Sequence, residues 1–220
     1  MQRYAGFWLP ISLGLLFSCA ASPRSGVAGP PMPPEAGPLP ETGPAAPGAI
    51  MGTGRKDPEK LAAFLLDSNP GADPRFTAEL ARLYTEEAAV EGVNHDIAFA
   101  QMCLETGFLR YGGLVTPDMN NFCGLGAIGP GQNGERFSSP RIGVRAHIQH
   151  LKAYASEEEL KGELVDPRYR WVRYGSAPDI AGLAGTWAAD REYAVKIKAI
   201  LDRLYRYPDR GSGRLRRGSS

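Results

Sequence analysis

The nine residues IAFAQMCLE, Ile97–Glu105, constrain this chain more than any other stretch. At 3.6 residues per turn they are apolar nearly all round, which suits a helix enclosed by other elements rather than one lying on a surface. A fold that contains such a helix must wrap further elements around it. Asn94 and Asp96 stand where an N-cap is needed, and Gly107 stands where the helix must stop. Glu105 breaks the pattern. It falls in the last turn, where unpaired carbonyls make the helix end partly negative and an ionised carboxylate is disfavoured.

The surrounding sequence supplies the wrapping. DPRFTAELARLYTEEAAVEGV places Phe76, Leu80, Leu83, Tyr84 and Ala88 on one stripe, with Glu79, Arg82, Glu86 and Glu87 mostly opposite. Ser139 and Pro140 start another helix, with Val144, Ile148, Leu151 and Ala155 inward; on it His147 and His150 read as one exposed and one half-buried position. Two last helices are expected at about 179–189 and 191–206, the second with Tyr193, Ile197, Ile200, Leu201 and Leu204 facing in. Between Asn120 and Pro140 stand five glycines, too many for a helix, and this segment reads as a short β-hairpin or looped lobe. The folded part, about 57–208, is thus a mainly α (α+β) domain with one small β element. It carries no Gly-rich phosphate loop and no GxSxG.

The ends differ from the domain. Arg3 precedes an apolar run from Phe7 to Phe17, too short at 11 residues for a bilayer span of about 20 and suited to an export signal over residues 1–18. The run closes in LFSC, Leu16 to Cys19, which resembles the lipobox of bacterial lipoproteins and would make Cys19 an acylated first residue, anchored to a membrane face; the alternative is an ordinary signal peptide. Residues 20–54 hold nine prolines and seven glycines among 35 residues and read, with Cys19, as a tether over 19–54. The tail 209–220 has four arginines against one aspartate and reads as a basic disordered end. A net charge of +1 over 220 residues argues against nucleic acid as the main partner. Cys103 reads as a small buried hydrophobe, and whether it pairs with Cys123 is open. The three histidines show no ligand spacing with the cysteines, so no metal is expected.

For Glu105 two readings compete. It is solvated beside the Gly107 break, or it lines a cleft between the central helix and the glycine-rich lobe. In the second case desolvation and the helix end both raise its pKa, and a carboxyl held protonated near neutral pH is the general acid that glycosidic cleavage requires.

Four blocks decide between them: AQMCLETGF, NNFCGLGA, GVRAHIQHLKAYA and GTWAADREYAVKIKAIL. Together, in order across roughly residues 77–204, they resemble the glucosaminidase domain of glycoside hydrolase family 73, bacterial enzymes that cut peptidoglycan. The resemblance implies a lysozyme-like helical domain with a β-hairpin lobe closing over a sugar groove. It places the catalytic glutamate of the family's LE[ST]G block on Glu105. Its asparagine and glycine block falls on Asn120, Asn121, Phe122, Gly124 and Gly126, as groove wall. The family's late YATDPxY block appears as WAADREY, so Tyr193 matches the second tyrosine and Trp187 replaces the first, which removes a hydroxyl.

Chemically, Trp187, Tyr193 and Phe122 offer stacking faces for sugar rings, and Asn120 and Asn121 offer donors and acceptors. The plainer reading of the aromatics is core packing. A second acid is expected for water activation or nucleophilic attack unless the substrate's acetamido group serves. Glu135 in the hairpin is the first choice, against its plain reading as a solvated loop residue, ahead of Asp118 and Asp190. The expectation is an exported, lipid-anchored, monomeric hydrolase of peptidoglycan strands that cuts the β-1,4 bond after N-acetylglucosamine without cofactor. The alternatives are a lytic transglycosylase and a non-catalytic peptidoglycan-binding lipoprotein.

Overall fold

Helix α3, His95–Glu105, is the centre around which the rest is arranged: nine of its eleven residues are buried. The structure, a computed structural model, describes residues 48–129 and 131–208. The expected export segment 1–18, Cys19, most of the tether and the tail 209–220 lie outside the described residues. Among the described residues no helix is long and apolar enough to cross a membrane.

Around α3 stand α1 (Pro58–Ser68), α2 (Pro74–Glu91), α4 (Pro140–Ala155) and α5 (Tyr193–Arg206). Each of the first three of these opens with proline at its start and an oxygen-bearing cap: Asp57, Asp73 and Ser139 accept from the backbone amides of Lys60, Phe76 and Ile142. Gly92 closes α2 in the left-handed conformation, φ 76°. Strands β1 (Ala127–Gly129) and β2 (Gln132–Asn133) pair antiparallel as the small hairpin. The mainly α architecture with one β element is therefore as expected.

The main core joins the inner faces of the five helices with Ile50, Val93 and Phe122. A smaller cluster of Cys123, Leu125, Phe137 and Ala146 seats the hairpin lobe on α4, and Trp187 packs against both. Gly143 allows this seat. A Cβ there would lie 1.8 Å from the carbonyl oxygen of Asn120, so any side chain drives α4 and the lobe apart.

Four expectations need correction. Residues 49–51 do not belong to the tether: Ile50 is fully buried, its amide donates to Pro178 O at 3.0 Å, and its carbonyl accepts from Asn94 N at 2.8 Å. No helix spans 179–189; a single 3-10 turn, Ile180–Leu183, ends before Gly185, which turns at φ 85°. Glu87 does not face water but is buried, holding Arg141 at 2.5 Å and Arg145 at 2.8 Å. His147 and His150 are both buried rather than exposed and half-exposed. At Ile50, Glu87, His147 and His150, burial is made possible by a partner that helical periodicity does not reveal.

Candidate active site

Glu105 ends α3 because the chain behind it turns left-handed. Gly107, Phe108 and Leu109 have φ of 57°, 57° and 62°, and Tyr111 has 57°. For non-glycine residues this conformation costs on the order of 1 kcal/mol or more each. Hydrogen bonds hold it: Phe108 N to Cys103 O at 2.7 Å, Tyr111 N to Thr106 O at 2.8 Å, and Leu109 N to Thr106 Oγ1 at 3.0 Å. Phe108 thereby turns onto the core, its ring 6.0 Å from that of Phe64.

The Glu105 carboxyl instead meets polar partners. Tyr193 donates its hydroxyl proton to Oε1, and the Trp187 side chain donates a second hydrogen bond. Opposite them the glycine turn passes close: a Cβ on Gly124 would lie 3.4 Å from Oε2. Glu105 is open to solvent on its cleft side, yet the protein packed around the carboxyl raises its pKa by desolvation, which outweighs the lowering by the Tyr193 and Trp187 hydrogen bonds. The raised pKa is as reasoned from sequence, although the opposing donors were not foreseen.

The cleft itself has a volume of about 230 Å³, and its lining includes Glu105, Thr106, Tyr111, Leu114, Asn121 and Gly124. Burial pushes the Tyr111 phenol up to about 12, so it remains a hydrogen-bond donor on the wall. Tyr111 and Leu114 were missed in the sequence because they sit in an aperiodic loop.

The asparagine block serves the wall more than it offers donors to a ligand. Buried Asn121 donates from Nδ2 to Leu125 O (2.9 Å) and Glu135 O (3.0 Å), and its Oδ1 accepts from Leu125 N (3.0 Å). This one amide fixes the glycine turn facing Glu105. Asn120 donates to Phe137 O at 3.0 Å and itself adopts φ 50°. Phe122 is fully buried against Phe76 and presents no stacking face. Trp187 is half-buried among the rings of His147, His150 and Tyr154, with centroids 5.6, 5.0 and 5.7 Å away. From this packing it also hydrogen-bonds Glu105.

Behind Tyr193 runs a buried polar chain that the sequence reading did not identify. Gln101 Nε2 donates to the Tyr193 hydroxyl at 2.8 Å; Gln101 Oε1 faces His147 Nε2 at 3.0 Å; and His147 Nδ1 faces the Tyr84 hydroxyl at 2.8 Å. One signal was available. Within the stretch Ile97–Glu105, Gln101 is the other polar residue, one turn before Glu105 on the same face.

Glu135 lies just beyond the cleft edge. Its Oε1 accepts from Arg168 Nε at 2.9 Å, and a Cβ on Gly126 would lie 3.0 Å from that oxygen. Glu105 and Glu135 therefore flank the same glycine turn, at Gly124 and Gly126. Asp118 is paired with Arg136 at 2.8 Å and Asp190 with Lys196 at 2.5 Å, both at the exposed surface. Cys103 and Cys123 are buried free thiols whose pKa values burial pushes up.

Residues 81–206 match the family described as glucosaminidase, mannosyl-glycoprotein endo-beta-N-acetylglucosaminidase. An uncharacterized protein of Borreliella burgdorferi is 44% identical over 158 residues, which is 72% of this chain and 78% of that protein. Among solved structures, S. aureus autolysin E in complex with the muropeptide NAM-L-Ala-D-iGlu is similar at a TM-score of 0.46 and 16% identity, covering 72% of this chain and 70% of that one.

Proposed function

We propose, from the premise that this chain belongs to the glucosaminidase family, that it hydrolyses peptidoglycan at the β-1,4 bond after N-acetylglucosamine, with Glu105 as general acid. The observation that carries this reading is the convergence of Tyr193 and Trp187 on a carboxyl of raised pKa at the wall of a cleft. A carboxyl that stays protonated toward neutral pH can give its proton to the glycosidic oxygen as the bond breaks. Once ionised by that transfer, it is stabilised by the two donors already aimed at it. Trp187 supplies through its indole N–H the donor that the tyrosine of the family pattern would supply through its hydroxyl.

For the second half of the reaction we assign Glu135. It stands on the other side of the Gly124–Gly126 turn, and its ion pair with Arg168 holds the carboxylate at the rim, where it can take a proton from an attacking water. The protein's place is outside the cytoplasm, where its polymer is. Lipidation at Cys19 and a Pro/Gly-rich tether to about residue 47 would hold the domain to a membrane face while letting it reach the wall.

The test is turnover of purified peptidoglycan by Glu105→Gln. Gln keeps the acceptor for Tyr193 and Trp187 but has no acidic proton to transfer, so release of soluble fragments falls by a factor of about 10² to 10⁴. A variant that binds cell wall as the wild type does, beside a wild type that releases nothing, would establish a binding lipoprotein instead.

A further inference from the structure

The stretch LVDPRYRWVRY, residues 164–174, is not used by the chemistry above, yet it concentrates surface features that folding alone does not call for. Of the six large hydrophobics exposed among the described residues, three are here: Leu164 at 42%, Trp171 at 75% and Tyr174 at 39%. Scattered single exposures are ordinary, but a cluster of this kind marks an interaction surface. Its charge is one-sided. Asp166 is buried and turned inward to His150 at 2.7 Å and Arg168 is paired with Glu135, which leaves Arg170 and Arg173 as the exposed charges of the stretch. Among the described residues, Arg170 and Arg173 have no ion pair.

The surface is shaped as well as sticky. The Arg168 guanidinium lies over the Trp171 ring, 4.8 Å from its centroid, and fixes the indole with the rest of its surface open. The Tyr169 and Tyr174 rings pack 5.1 Å apart beside it. A shallow groove of about 320 Å³ lined by Leu164, Val165, Asp166, Pro167 and Arg170 adjoins it.

It is also continuous with the cleft. From Glu105 the wall runs through Gly124 to Gly126, where a Cβ would meet Arg168 Nε at 2.8 Å. Arg168 then links Glu135 at the cleft rim to Trp171 on the platform.

We propose that this platform is a second binding surface for the same polymer, taking the part of a peptidoglycan strand that extends past the hairpin rim; the proposal rests on the reading of the cleft given above. A sugar ring stacks its apolar face on Trp171, and Arg170 and Arg173 pair with carboxylates of the peptide stems. Stacking needs an exposed rigid aromatic plane, and carboxylate recognition suits guanidinium groups. A platform beside the cleft keeps the domain on an insoluble polymer between cuts, because two linked contacts release together far less often than one.

The experiment uses the full chain carrying Glu105→Gln, so that binding is read without turnover, and measures co-sedimentation with purified sacculi. Adding Trp171→Ala weakens binding by roughly tenfold, and Trp171→Phe keeps most of it. The double change Arg170→Glu, Arg173→Glu weakens binding to intact sacculi but not to sacculi stripped of their stems by an amidase. Unchanged binding in Trp171→Ala and in the double variant overturns the proposal. So does binding to phosphatidylglycerol vesicles that matches sacculus binding and depends on Trp171, which would mark a membrane-facing surface. Whether the cleft cuts is read separately, from fragment release by the chain with Glu105 intact, so the two failures are distinguishable.

Discussion

Tyr193 donates its hydroxyl proton to Glu105 Oε1 while accepting from Gln101 Nε2 at 2.8 Å. The second bond decides the direction of the first. A phenol has one proton, and with the Gln101 amide donating to its oxygen, that proton is free to point at Glu105. Gln101 is oriented in turn by His147: its Oε1 requires a proton on His147 Nε2, which leaves Nδ1 to accept from Tyr84. This tautomer is assigned from the network. A fully buried chain from Tyr84 to Tyr193 thus sets which way the donor at the carboxyl faces.

Tyr193→Phe removes a donor that favours the ionised form of Glu105, so the carboxyl pKa rises further. A general acid works while protonated, and the basic limb of the kcat/KM profile therefore moves to higher pH, while kcat falls because the ionised acid is less stabilised. Gln101→Leu moves the same limb in the same direction without touching the carboxyl. A pH–rate profile of both variants checks this; limbs that stay in place contradict it.

Glu105 also has a stability signature. Its folded pKa is raised, so the unfolded chain loses this proton first, and stability falls as pH rises from the ordinary 4.5 through the folded value. Glu105→Gln removes that cost. Its Tm exceeds that of the wild type at pH 7, and the difference shrinks below about pH 4.5, as thermal melts across pH will show.

His147 acts in the opposite sense. Burial, helped by nearby His150, lowers its pKa from 6.5 to about 3. Its contribution is complete above 6.5 and is lost as pH falls from 6.5 toward 3. Urea midpoints of the wild type should fall over that window, and those of His147→Gln should start lower but fall less. Tyr84→Phe, which leaves Nδ1 without a donor, costs about 1–3 kcal/mol at pH 7.

Glu135→Gln keeps the fold, since the glutamine oxygen still accepts from Arg168, but lowers kcat by roughly a hundredfold in turnover assays. Unchanged turnover would assign the second half of the reaction to the substrate's acetamido group.

Ile50→Ala costs about 2–4 kcal/mol by leaving a cavity between α3 and the segment at Pro178. The same loss on deleting residues 1–54, but not on deleting 1–47, would place the start of the domain in urea titrations.

Periodicity made the helices legible, because burying one face imposes a repeat on local sequence. It failed at Ile50, in a three-residue apolar run among prolines and glycines, and at residues 179–189, where helix-like spacing was cut by Gly182 and Gly185. A Cβ at Gly182 would meet Ala177 at 2.8 Å, a constraint only the packed structure contains. Glu105 was legible as a charge in the wrong place, and Tyr193 through the family pattern. Phe122 and His147 were misread, and the hydrogen bonds of Asn121 behind the expected wall were not seen, because each is defined by partners outside the local repeat. Phe122 lies 46 residues from Phe76 and is core, Asn121 is committed to the hairpin backbone, and His147 is held between Tyr84 and Gln101.

The most direct measurement is mass spectrometry of the ends released from purified peptidoglycan by the wild type and by Glu105→Gln. The mechanism predicts reducing N-acetylglucosamine ends from the wild type and almost none from the variant. Equal release by Glu105→Gln, or anhydro-muramic ends from the wild type, would contradict it.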